Sequence, residues 1–501
     1  MTTRLDTPEH AATWLRERVR GRLLTDSRKL AAGDGFIAWP GTASDGRNFV
    51  AGALAVGASA CLVEEDGASS FNFRDDRVAT YAGLKAARGP IAAAYFDSPG
   101  QHLDVVAVTG TNGKTSTTWF LAQALGKLGR RCGVVGTLGV GEPGAMVSTG
   151  LTTPDPVLLQ LQLRRFVDEG FAACALEASS IGIVERRLDA MSFRVAVFLN
   201  FTQDHLDFHG SMQAYWGAKK SLFDWPGLKA AVINIDDPKG VELDSALAGS
   251  GLDVWTFSCE SSPAAARLQA RGLTYGDRTL SFDVVEGTQV YRIATPMVGK
   301  FNVSNLLAAM ASMRAMNFPL DEIVAACVDL EPVPGRMDAL SVDGLPMVVV
   351  DYAHTPDALV KVLTALRPVA QSRGGRLWCV FGCGGDRDRT KRPLMAAMAE
   401  KYADNIVVTS DNPRTEDPLA IIDDVLAGLK QRDAAQTEVN RSLAISSALN
   451  HAMPHDVVLL AGKGHEQFQE IKGEKLPFSD VAHAQAALDA RATAAQLERP
   501  A

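Results

Sequence analysis

"DVVAVTGTNGKTSTTWFLAQALGKLG", residues 104–129, decides the fold of this 501-residue chain. An apolar run, Val105 to Thr109, reads as a buried strand that enters a glycine loop and then a helix with apolar spacing from Trp119 to Leu128. A strand turning through glycines into a helix N-terminus suits phosphate. Backbone N–H groups can approach the oxygens, and the helix end adds positive potential. Within Gly110, Thr111, Asn112, Gly113, Lys114, Thr115 and Ser116, Lys114 is placed to bridge β- and γ-phosphates, and Thr115 to hold Mg²⁺. Only Thr111 and Asn112 separate Gly110 from the Gly-Lys pair, so the loop is a shortened form of GxxxxGKT. The bland alternative is a glycine turn that merely joins strand to helix.

Strand and helix segments alternate after the loop ("AACALEASS", "VAVFLNF", "KAAVINIDD"), which implies a parallel sheet covered by helices. Residues 1–97 alternate short apolar runs with turns and read as a small mixed domain. Residues 252–296 read as antiparallel strands, followed by a helix from Asn305 to Met316. "LEPVPGRMDAL", near residue 335, reads as a hinge. Fresh strands beyond it ("PMVVVDYA", "RLWCVFGC", "NIVVTS", "DVVLLAGKG") form a second α/β unit, with an alanine-rich, mobile end from about Ala484. The expected fold class is therefore α/β in three domains. These are a small mixed α/β domain over 1–97, a P-loop parallel-sheet ATPase domain over 98–334, and a Rossmann-like α/β domain over 335–501.

Composition narrows the function. Hydrophobic residues make up 47% and charged residues 22%, the balance of a soluble globular protein with real cores. A net charge of -8 argues against non-specific nucleic-acid binding. The seven cysteines stand singly with no CxxC pair, so neither a disulfide framework nor a structural zinc site is expected, and a reducing cytosol is. The first residues read as an amphipathic helix rather than a signal peptide, and no run of about 18 apolar residues offers a membrane span. The expected setting is cytoplasmic, without membrane or nucleic-acid partners, and the expected state is a monomer.

Five motifs in order, "TGTNGKTS", "NFTQDHLDFHG", "GKFNVSN", "DYAHTPD" and "FGCGGDRDRTKRP", resemble those of the Mur ligases, with folylpolyglutamate synthetases as more distant relatives. The resemblance spans essentially the whole chain. It implies an ATP-dependent, amide-forming enzyme of peptidoglycan synthesis, with two Mg²⁺ sites. It assigns Glu177, at the end of "AACALE", and His205 to metal binding. It gives Lys219, rather than Lys220, to a carbamate that acts as a further metal ligand. Read alone, Glu177 is a solvated strand-end carboxylate, His205 a packed or capping residue and Lys219 a surface lysine. The resemblance also places Asn302 at the adenine, Arg336 near the γ-phosphate, and Asp351 and His354 beside ATP, held between two domains; otherwise Asn302 and Asn305 are helix caps.

By the same resemblance Ser27, Thr42, Ala43 and Ser44 meet the uridine diphosphate of the substrate, and Thr152, Thr153, Ser179 and Arg187 its muramoyl-peptide end. Two positions depart from the family. Ile181 replaces a histidine, and Glu185 replaces a glutamine, where a carboxylate would repel an acidic substrate unless protonated or turned outward. The implied reaction phosphorylates a glutamate carboxylate of a UDP-muramoyl dipeptide, and an amine then attacks the acyl phosphate. In the family the amine is chosen by a turn here spelled Asp411–Asn412–Pro413–Arg414. Meso-diaminopimelate is lysine with a further carboxylate, and Arg414 offers that group a bidentate fork. Arg387 and Asn412 match further carboxylate contacts, and Gly462 and Glu466 match holders of the ammonium end. The bland alternative for Arg414 is an ion pair with Asp411 or Glu416. Lysine addition, a catalytically inactive ATP-binding scaffold and a folate-extending ligase remain as alternatives.

Overall fold

The computed structural model describes residues 2–41, 44–260, 266–275 and 279–497, which fall into two compact units. The first takes in residues up to 258 together with 266–268 and 305–326; the second takes in the remaining described residues.

The first unit carries two sheets. The N-terminal one orders Thr3–Leu5, Val78–Tyr81, Ala60–Glu64, Gly35–Ala38 and Leu23–Leu24, all parallel. The opening residues are thus an edge strand, and the helix read there is Pro8–Arg18. Thr7 caps that helix by accepting from His10 N at 3.2 Å, and Pro8 suits the first helical position. The helix Leu84–Tyr95 packs against Pro156–Asp168, and Leu84, Ile91 and Val157 share one core.

The second sheet of this unit orders Asp253–Ser258, Ala230–Asn234, Val195–Phe198, Asp104–Thr109, Ala173–Glu177, Cys132–Gly136 and Gly139–Gly141; all pairs are parallel except the last. Val105 to Val108 have no exposed surface, because helices cover both faces; hence the run is continuously apolar rather than alternating. From Asp104–Thr109 the chain moves first to one side and then to the other. This switch opens a crevice at the carboxyl edge, where ligands of such sheets bind.

The second unit orders Asp338–Leu340, Met347–Asp351, Val457–Ala461, Leu377–Phe381, Asn405–Thr409 and Ala435–Glu438, parallel after the first pair. The strands Leu268–Tyr275, Leu280–Glu286 and Gln289–Thr295 pair antiparallel, as their composition implies. The helix read from Asn305 begins at Lys300, so Asn302 and Asn305 are buried within it rather than capping it. The alanine-rich end is not a loose tail. It forms the helix Asp480–Leu497, whose Ala484 and Leu488 are fully buried in a core with Ile445, Leu449 and Val458. Small side chains there let the helix sit close to the sheet.

Arg441 secures that helix and the sheet edge together. Its guanidinium donates to Asp480 at 2.7 and 2.6 Å, to Ser410 O at 3.3 Å and to Ala461 O at 3.0 Å. Arg441→Met would leave Asp480 buried without its cation, so a loss of about 3–5 kcal/mol is expected. Hydrogen exchange in the strands Asn405–Thr409 and Val457–Ala461 measures it; unchanged protection contradicts it.

Candidate active site

The loop after Asp104–Thr109 requires its glycines. Gly110 has φ +153° and Gly113 φ +89°; a Cβ would lie 2.9 Å from Leu199 Cβ at the first and 2.3 Å from Asn305 Oδ1 at the second. Asn200, which the sequence reading did not single out, braces the loop. It accepts from Thr111 N at 3.0 Å through its carbonyl, accepts from Asn112 N at 2.8 Å through Oδ1, and donates Nδ2 to Asn112 O at 3.0 Å. Gly113 leads directly into the helix Lys114–Lys127, whose first turn also holds Thr115 and Ser116.

Two lysine head groups meet over this loop. Lys114 Nζ donates to Gly110 O at 2.8 Å and Thr111 O at 2.9 Å, and Lys219 Nζ donates to the same Gly110 O at 2.8 Å. Lys219 is only 1% exposed, and its Nζ stands 4.5 Å over the Tyr215 ring. Burial, then the like charge of Lys114, holds its pKa well below the usual lysine value. It is therefore not the surface lysine that local sequence alone suggests. Burial also pushes Tyr215 up to about 12, and its hydroxyl lies 3.2 Å from Thr111 Oγ1. His205 sits edge-on to the same ring at 6.1 Å; its side chain is 44% exposed and lies 3.4 Å from Asp204. Among the described residues no three His, Cys, Asp or Glu side chains gather as metal ligands. The expected set of Thr115, Glu177, His205 and Lys219 contains only two of those types.

Glu177 pairs in register with Val108, which places it at the carboxyl edge beside the loop. It is 1% exposed and accepts from Thr137 N at 2.8 Å and Thr137 Oγ1 at 3.2 Å. A Cβ at Gly136 would lie 2.1 Å from its Oε1, so glycine there makes room for the carboxylate. Around it the structure gathers the residues assigned to the muramoyl-peptide end. Thr137 Oγ1 is 3.0 Å from Thr152 Oγ1, and Thr153 Oγ1 donates to Glu177 O at 2.8 Å and lies 2.8 Å from Ser179 Oγ. Arg187 donates to Thr153 O at 3.0 Å. Glu185 pairs with Lys85 at 3.2 Å, and Arg88 donates to its carbonyl at 3.2 Å. Ile181 lies in the short helix Ser180–Val184. In the N-terminal sheet region, Ser27 opens a single turn, Ser27–Lys29, and Ser44 O accepts from Gly41 N at 2.9 Å. Thr42 and Ala43 lie outside the described residues.

In the second unit, the ends of four parallel strands bring another set together at their carboxyl edge. Asp351 is buried, accepts from Met337 N at 2.9 Å and Ala353 N at 2.8 Å, and is pushed up by burial. Arg336 lies 4.9 Å over the Tyr352 ring, which also packs at 4.8 Å on His354 and 5.4 Å on His465. Asn302 donates to Val298 O at 2.8 Å.

The turn after Asn405–Thr409 is largely buried through Asp411, Asn412 and Pro413, and Arg414 emerges with φ +52°. Arg414 pairs through Nε with Glu470 at 3.2 Å and donates from Nη1 to Gly385 O at 2.6 Å, rather than pairing with Asp411 or Glu416. Glu416 instead binds the buried Arg392, which holds its carboxyl down at about 2. A Cβ at Gly384 would lie 3.0 Å from Arg414 Nη1 and 3.9 Å from Arg387 Cγ, so both arginines flank this loop. Asn412 Nδ2 donates to Glu466 Oε2 at 2.9 Å, and Gly462 sits so close to Asp411 that a Cβ would lie 2.9 Å from its Oδ2. The sequence reading missed Glu470 and Lys463; the latter lay inside the quoted "DVVLLAGKG".

Residues 108–313 match the Mur ligase middle domain, and residues 335–464 match the Mur ligase glutamate ligase domain. The chain is 54% identical to the UDP-N-acetylmuramoyl-L-alanyl-D-glutamate–2,6-diaminopimelate ligase of Acidovorax sp. strain JS42, over 97% of this chain and 98% of that one. A solved structure of a ligase of that name superposes with TM-score 0.68 at 36% identity, covering 94% and 95% of the two chains. Folylpolyglutamate synthase of Mycobacterium tuberculosis, solved with ADP and AMPPCP, shares the fold at TM-score 0.58 and 20% identity over 75% of this chain and 92% of that one.

Proposed function

The chain belongs to the Mur ligase family, and from that premise we propose the division of labour among its residues in the reaction it carries out. It is an ATP-dependent, ADP-forming ligase that adds meso-2,6-diaminopimelate to the D-glutamate of UDP-N-acetylmuramoyl-L-alanyl-D-glutamate in peptidoglycan synthesis. The observation that carries the choice of amine is the turn at Arg414, set on a buried framework with Asn412 and Glu466 beside it.

ATP phosphorylates the glutamate carboxylate, the amine of diaminopimelate attacks the acyl phosphate, and phosphate departs as the amide forms. The loop Gly110 to Ser116 cradles the phosphates, and Lys114 bridges β and γ. Glu177 with Thr152, Thr153, Ser179 and Arg187 orients the peptide end of the acceptor, while Ser27, Thr42, Ala43 and Ser44 take the uridine diphosphate. Asn302, Arg336, Asp351 and His354 complete the ATP contacts. Lys219, whose hold on a proton burial weakens, takes up CO₂ as a carbamate with loss of a proton; its exclusion from water beside Gly110 O supports this. Thr115, Glu177, His205 and the carbamate would hold two Mg²⁺. The buried Glu177 and the buried, readily deprotonated Lys219 suit that task. Bound Mg²⁺ would offset negative charge as phosphate moves between oxygens. The working division is 1–97 for the UDP-sugar, 98–334 for ATP and 335–501 for the amino acid, in a monomer acting in the cytoplasm. Among the described residues no helix is long and apolar enough to cross a membrane.

Amine-dependent phosphate release with the UDP-dipeptide tests the reading. Diaminopimelate is expected to support release at least about a hundredfold better than lysine, a floor beneath the roughly 10⁴–10⁵ by which a site built to hydrogen-bond a polar group rejects the analogue lacking it. Comparable rates would favour a broader diamino-acid ligase, and no release with any amine would favour an inactive ATP-binding scaffold.

A further inference from the structure

We propose that Lys463 is a positioning residue for amine selection: its buried ammonium fixes which end of the Asn412 amide, and which oxygen of Glu466, faces the incoming diamino acid. This rests on the reading of Asn412 and Glu466 as contacts of diaminopimelate. The two ends of an asparagine amide are nearly equal in shape, so only its partners decide which is presented. Here every partner is obligate. Oδ1 receives Lys463 Nζ at 3.0 Å and Glu470 N at 2.9 Å, both of which can only donate. Nδ2 faces Glu466 Oε2 at 2.9 Å, a carboxylate oxygen that accepts. The amide is thereby oriented with its N–H groups on the Glu466 side, and one N–H stays available for a substrate carboxylate.

Lys463 also holds Glu466 directly, at 2.9 Å to Oε2, and lies 3.6 Å from Asp411 Oδ1. Its side chain is fully buried, between the rings of Phe468 at 5.8 Å and Phe478 at 6.0 Å. The flanking glycines turn it inward. Gly462 has φ +119°, and at Gly464, φ +53°, a Cβ would meet Gly335 O at 2.7 Å. Remove the ammonium, and Oδ1 keeps a single donor while Glu466 loses its cation. The amide is then held on its oxygen side by Glu470 N alone, and Glu466, no longer anchored, can swing away from Nδ2, so that the amide N–H is no longer aimed at the substrate's carboxylate.

The test is steady-state kinetics of the full chain with diaminopimelate and lysine as alternative amines, for wild type and Lys463→Met. The variant is expected to raise KM for diaminopimelate at least about tenfold and to lower the preference over lysine by a similar factor. KM for ATP and for the UDP-dipeptide should stay within about threefold, a split that general loosening would not produce. Should the single variant not fold, Lys463→Met with Asp411→Asn removes the stranded buried carboxylate and carries the same expectation. A wild type without preference overturns the amine reading itself. A wild type with preference and a variant that retains it overturns only the role of Lys463. Equal rises in all three KM values, or failure of both variants to fold, would make Lys463 a purely structural residue and overturn the proposal.

Discussion

Replacing Lys219 with alanine is expected to lower kcat by roughly a hundred- to a thousandfold, the scale of losing one preorganised electrostatic group at a reacting centre. The side chain is buried, its Nζ is 2.8 Å from Gly110 O, and its low affinity for a proton leaves an amine able to carry CO₂. The negative carbamate would replace an amine that shares one carbonyl with Lys114. Short-chain carboxylic acids can place an oxygen anion in the space alanine leaves, so they should restore part of the activity to the variant and none to wild type. ATP affinity, measured by calorimetry, should change only a few fold, because Lys114 and the loop amides remain. A variant with near wild-type turnover refutes the carbamate role. Loss of turnover that no acid relieves, together with lost ATP binding, would make Lys219 a brace of the phosphate loop.

Arg414→Ala is expected to raise KM for diaminopimelate at least about thirtyfold, equivalent to the lower end of the 2–5 kcal/mol expected on truncating one partner of a desolvated charge pair. Its effect on KM for ATP should be slight, and lysine, which lacks the second carboxylate, should be used no worse than before. Glu470 and Gly385 O hold the guanidinium through Nε and Nη1, so the arginine is aimed in advance rather than swinging freely. That support gives a further consequence. Arg414→Lys should recover little, since an ammonium cannot reproduce the planar fork. If KM for diaminopimelate does not move in Arg414→Ala, the arginine is an ordinary ion-pair partner of Glu470.

What the sequence made legible was local. The strand–glycine–helix passage at Gly110 announces itself because one short stretch supplies strand, turn and helix start together. Glu177 is readable for the same reason, as the last residue of an apolar run. Properties set by distant residues were not readable. Lys219 is buried against a loop more than a hundred positions earlier in the chain, so its aromatic and small neighbours, "AYWGAKKSLF", allow desolvation but could not reveal what it is buried against. Glu470, the true partner of Arg414, lies in a hairpin far along the chain, while the nearer acids Asp411 and Glu416 are engaged with Lys463 and Arg392. Lys85 meets Glu185 only because the helix Leu84–Tyr95 packs beside the residues that follow Ser180–Val184. The alanine-rich end misled because small side chains signal either looseness or close packing. Only the buried pair of Asp480 and Arg441, with Ala484 and Leu488 in the core, distinguishes them.

The most direct test of amine selection is a crystal structure of the chain with meso-diaminopimelate bound. The far carboxylate should lie within about 3 Å of the Arg414 guanidinium and of Asn412 Nδ2, with the neighbouring ammonium on Glu466 and the Gly462 carbonyl. Diaminopimelate bound elsewhere, or with that carboxylate turned away from Arg414, would contradict the assignment of this turn as the element that chooses the amine.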